Sequence, residues 1–147
     1  MRSGELMMVA LLACSVPASA CDAPLITIAD YVHGAENGRL VFVGSVGSPV
    51  SQKAGGVVIE DVTVRVRRVF GKSNLPPTLP VLNRITGGMN PCGTRDFSAS
   101  AGDQWLIFGQ RDAGRVYPDL QLSRKLVNGH IDQSLLRQIT PSLPSGK

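Results

Sequence analysis

The run VVIEDVTVRVRRVF, Val57 to Phe70, decides the fold. Val62, Val64 and Val66 alternate with Thr63, Arg65 and Arg67, the period of a strand with one face in the core and the other in water. At Arg68, Val69 and Phe70 the alternation breaks, which predicts a bulge or a sharper bend late in the strand. The outer face carries Arg65, Arg67 and, past the break, Arg68 and Lys72. No aromatic side chain interleaves with Arg65 and Arg67, so the stacking platform of a single-strand nucleic-acid binder is missing. Two uses remain: a solvated face that discourages edge pairing, and a contact with an acidic partner or an anionic envelope surface.

On the N-terminal side, residues 40–46 form a compact β-branched and aromatic run, a buried strand. Residues 47–56, rich in Gly, Ser and Pro, predict a loop. Further back, Leu25, Ile28, Ala29 and Val32 share one face at helical spacing and Gly34 offers a stop, so a helix about ten residues long is expected.

On the C-terminal side, residues 80–85 read as a third strand, and residues 104–108 as the most hydrophobic one. Residues 110–114 make a hairpin-like connection to a fifth strand over 116–126, where Pro118 limits pairing and marks an edge. Ile131, Leu135, Leu136 and Ile139 return to helical spacing, with Asp132 at the positive end of that helix. Residues 141–147 are expected to be a frayed tail. Short strands without helical crossovers, closing on one core, predict a mainly β protein: a five-stranded antiparallel barrel with a short N-terminal helix and a C-terminal helix.

The chain has 147 residues, 43% of them apolar, which fits one domain with a modest core. A net charge of +4 is too small for a nucleic-acid tail. Residues 1–20 read as a signal peptide: a basic start at Arg2, an apolar run over 6–13 too short to span a bilayer, and Ala18-Ser19-Ala20 as the cleavage signal. Export to the periplasm, cell envelope or medium follows, with one domain over 21–140. Removal of Cys14 with the leader leaves Cys21 and Cys92, and a pair in an exported domain reads as a disulfide, with two independent thiols as the alternative. Closing a loop of about 70 residues contributes roughly 4 kcal/mol on the chain-entropy formula. A rival use of Cys21 is lipidation, with Ser19 and Ala20 serving as the end of a lipoprotein motif, although Ala18 stands where that motif usually has Leu. Only in that case is a membrane a partner.

From Cys21 to about Leu126 the order of features resembles the netrin-like module, the oligonucleotide/oligosaccharide-binding (OB) barrel of the tissue inhibitors of metalloproteinases. The matching residues are Cys21 at the mature terminus, a helix before the strand containing Val43-Gly44, then Val69-Phe70-Gly71-Lys72, Cys92-Gly93, and Gly102-Asp103-Gln104-Trp105-Leu106-Ile107-Phe108. The resemblance implies a Cys21–Cys92 bond and a protein partner, a zinc metalloprotease in the inhibitory members. There the α-amine and carbonyl of the first residue take the open position on the protease's zinc, so Cys21 would chelate the partner's metal and the protein would need no cofactor or metal of its own. Asp22 would then face the substrate pocket. Inhibitory members begin Cys-x-Cys with a small hydroxyl residue between, whereas here Asp22 and Ala23 follow Cys21. A buried unpaired carboxylate is costly, so the resemblance carries the fold further than the activity. The alternative is a non-inhibitory envelope-associated adaptor or lipoprotein that uses Arg65 and Arg67.

His33 and His130, the only histidines, stand apart from any metal-ligand spacing, and no nucleophile elbow or phosphate-cradle motif occurs. An enzyme is therefore not expected.

Overall fold

The computed structural model describes residues 25–88 and 96–140. The leader expected over 1–20, the tail over 141–147, and Cys21, Asp22 and Cys92 lie outside the described residues.

The described chain is mainly β. Helix α1 (Ile28–His33) and a 3-10 turn (Ala35–Asn37) precede strands β1 (Arg39–Ala54), β2 (Val57–Phe70), β3 (Thr78–Thr86), β4 (Gln104–Asp112), β5 (Arg115–Pro118) and β6 (Arg124–Lys125), and helix α2 (Gln133–Ile139) follows. Five strands form a ring in the order β1-β2-β3-β5-β4, closed by β4 pairing back onto β1. Four of the pairings are antiparallel; β3 and β5 run parallel, with Val81 opposite Val116.

That parallel pair corrects the expectation of an antiparallel ring, and parity is the reason. Strand directions must alternate around a fully antiparallel ring, which an odd number of strands cannot do. With five strands, one junction has to be parallel. The sixth strand is the other correction. The stretch expected as one strand over 116–126 stops at Pro118, turns through Asp119, whose carboxylate accepts the amides of Gln121 and Leu122, and resumes as β6 on the same strand β4. Across the gap, Ser123 Oγ accepts the Phe108 amide and donates to the Phe108 carbonyl, both at 3.1 Å, so the β4 backbone keeps its partners.

The predicted bulge is present. Val43 faces Arg68 and Gly44 faces Val66, which leaves Arg67 as the extra residue on β2. The loop expected over 47–56 is instead the continuation of β1, paired with β2 as far as Ala54 and Val57 and turning at Gly55 and Gly56. Pro49 is tolerated because β4 pairs with β1 only as far as Ser45, so beyond it one edge of β1 is free.

Two apolar clusters share the walls of this ring. Leu40, Phe42, Val62, Val64, Val81, Ile107 and Val116 fill one; Val41, Leu106 and Phe108 point the other way and pack with Tyr31 and Val32 of α1 and Leu135 and Ile139 of α2. Helix α1 is six residues long, shorter than expected, because Thr27 caps it: its hydroxyl accepts the Asp30 amide while the Asp30 carboxylate accepts the Thr27 amide. Asp132 caps α2, accepting the amides of Ser134 and Leu135.

Candidate functional site

Of the residues singled out from sequence, Arg65 and Arg67 can be placed. Both are exposed on the outward face of β2. Arg67 Nε donates to Ser45 Oγ at 3.1 Å, while Arg65 makes no ion pair among the described residues. Arg68 lies over the Phe70 ring, 4.7 Å from its centroid, so its charge is held against the protein surface. The bulge at Arg67 therefore separates a free cation from a packed one on the same strand. His33 and His130 are exposed and far apart in the chain, and no group of three His, Cys, Asp or Glu side chains suited to a metal occurs among the described residues.

The segment that follows Cys92 is fixed by a residue that sequence reading passed over. Asn83 is the extra residue of a second bulge, since Glu60 faces Arg84 while Asp61 faces Leu82. Its buried side chain donates through Nδ2 to Glu60 Oε1 at 2.6 Å and accepts the Ala99 amide on Oδ1 at 2.8 Å. Its carbonyl takes the Phe97 amide at 2.9 Å. Phe97 thereby enters the first cluster, tilted against Trp105 with ring centroids 4.4 Å apart. Arg84 pairs with Asp96 at 3.4 Å at the start of the same segment. The signal was an amide directly after the apolar run Val81-Leu82, where a buried side chain demands full hydrogen bonding.

Two further polar contacts span distant parts of the chain. Arg115, at the start of β5, pairs with the buried Asp61 at 2.9 Å, and this hydrogen bond raises the guanidinium pKa. The Tyr31 hydroxyl donates to Asp119 at 3.0 Å; burial, with that carboxylate second, raises the phenol well above its ordinary range. At the surface, Lys125 beside Asp103 holds that carboxyl below the usual range. Hydrogen bonds from Ser134 lower Asp132, and those from Thr27 lower Asp30. These contacts brace turns and strand ends, and none pairs a nucleophile with a base.

No family model matches this chain, and no curated protein or solved structure matches it either.

Proposed function

We propose that this chain is an exported netrin-like module, an OB-type barrel that binds protein, and that its mature N-terminus at Cys21 inhibits a zinc metalloprotease. The observation that carries the barrel is the ring order β1-β2-β3-β5-β4 with its single parallel junction. Support for the terminus as the acting part comes from the Asn83 clamp. A Cys21–Cys92 crosslink would tie the first residue to a segment whose continuation at Phe97 and Ala99 is already held by buried hydrogen bonds. A terminus fixed in that way loses little freedom on binding. Its α-amine, with an ordinary pKa near 8, loses its proton readily beside zinc and displaces the water that hydrolysis needs. The partner supplies the metal.

The test is inhibition of a panel of zinc proteases by protein beginning at Cys21 and by the same protein carrying one extra N-terminal Ala. Inhibition by the first form and its loss in the second is expected; equal potency overturns the reading. A second reading, an envelope-associated adaptor, is favoured by the exposed Arg65, which makes no ion pair among the described residues. For it, Arg65→Glu with Arg67→Glu abolishes capture of an acidic partner while the extra Ala changes nothing.

A further inference from the structure

At the end of the ring where β1 begins and β2 ends, a cleft of about 280 Å³ is lined by Arg39, Lys72 and Arg111 together with Ser73 and Asn74. The three cations come from three separate segments, and among the described residues no carboxylate lines the cleft. None of the three makes an ion pair among the described residues. Asp30 is engaged in the cap of α1, where Arg39 adds a weak favourable charge; Asp112 lines an adjoining cleft that shares Gly38 and Arg111 with this one; and Glu36 is exposed. Arg39 Nε is itself buried and has no acceptor among the described residues, so any contact with an anion would fall to its terminal nitrogens.

Lys72 and Arg111 are held in place by glycine turns. Gly38 sits at φ 73, where an added Cβ would lie 2.7 Å from the Arg111 carbonyl, and the Gly38 carbonyl accepts the Arg111 amide at 2.8 Å. Gly71, immediately before Lys72, sits at φ 81 against the Val32 carbonyl. The backbone at these two cations is therefore set before binding. The volume equals that of roughly nine waters, room for one tetrahedral oxyanion with part of its hydration shell.

We infer that this cleft binds a single sulfate or phosphate group, with Arg39, Lys72 and Arg111 as the charged donors. Guanidinium and ammonium groups donate short charge-assisted hydrogen bonds to such oxygens, and convergence of three cations on one point suits a compact multivalent anion better than an extended acidic chain. The inference does not depend on a protease partner.

The test is a titration of the full mature protein, followed by amide NMR shifts at constant ionic strength, with inorganic phosphate, inorganic sulfate, a sugar monophosphate and a sugar monosulfate. Saturable shifts at Gly38, Ser73, Asn74 and Arg111 are expected, weakened at least tenfold in Lys72→Ala/Arg111→Ala. Both side chains are exposed, so that variant folds, and Arg65→Ala/Arg67→Ala leaves binding unchanged. Tighter binding of an ester identifies an esterified group as the ligand; tighter or equal binding of the free ions identifies the ion. The same shifts in sodium chloride, an absence of saturable shifts, or unchanged binding in the double variant overturns the inference.

Discussion

The apolar cluster inside the ring and the one beneath the helices share two strands, β1 and β4. In β1, Leu40 and Phe42 face one cluster and Val41 the other; in β4, Ile107 faces one and Leu106 and Phe108 the other. Strand β2 differs over its middle stretch, where Val62 and Val64 are buried and Thr63 and Arg65 face water. A wall with protein on both sides needs a continuous apolar run, and a wall with water on one side needs alternation. The water-facing side of β2 therefore carries exposed Arg65 and Arg67, which leaves charge where a partner or ligand can reach it.

The strongest way to break this comparison is to hollow each cluster in turn. Phe42→Ala should cost about 3–5 kcal/mol and Ile139→Ala about 2–5 kcal/mol in urea unfolding, since both side chains are fully buried. The two should differ in hydrogen exchange. Ile139→Ala speeds exchange in α1 and α2 while Val62 and Val64 keep their protection, whereas Phe42→Ala exposes the whole ring. Equal loss of protection everywhere in both variants would mean that the clusters are one unit.

Next in size is the clamp. Asn83→Ala leaves the Ala99 amide and the Glu60 carboxylate without their partner and should cost about 1–3 kcal/mol. Faster exchange at Ala99 and Phe97, with β1 unchanged, is the expected pattern. Tyr31→Phe keeps the ring against Phe108 but removes the bond to Asp119, a loss of about 1 kcal/mol. Because the folded phenol is raised above its unfolded value, its contribution is fully present below about pH 10 and declines as pH rises further. An alkaline titration of stability should therefore fall in the wild type and lie flatter in the variant.

The smallest effect is at acid pH. Asp103, Asp30 and Asp132 are held below the ordinary carboxylate range, so their contributions are present above about pH 4 and lost as pH falls through the lower folded values. Asp103→Asn should flatten the acid limb of a stability–pH curve by lowering its neutral plateau slightly while leaving the low-pH end unchanged.

Much of this architecture was legible in the residues. The boundaries of β2, the bulge announced by Arg68-Val69-Phe70, the hydrophobic β4 and the Asp132-led helix all follow from period and propensity. Residues 47–56 misled because Gly and Pro stood where a long two-stranded arm continues past the edge of β4. The break at Asp119 was hidden because Ser123, a residue of no particular β preference, supplies the hydrogen bonds of the missing ladder position. Asn83 escaped notice because its role depends on the distant residues Glu60 and Ala99. The parallel junction was derivable without coordinates, since five strands in a closed ring require one. At the candidate site, the exposure of Arg65 and Arg67 was readable from alternation alone, whereas the cleft between Arg39, Lys72 and Arg111 exists only once the ring brings the start of β1, the end of β4 and the turn after β2 together.

The functional reading rests on where the mature chain begins and on what its first residue is bonded to. The direct measurement is intact mass and peptide mapping of the exported protein, before and after reduction. A chain starting at Cys21, gaining two hydrogens on reduction and yielding a Cys21–Cys92 crosslinked peptide, is the expected result. A lipid mass on Cys21, or free thiols at both positions, would contradict it.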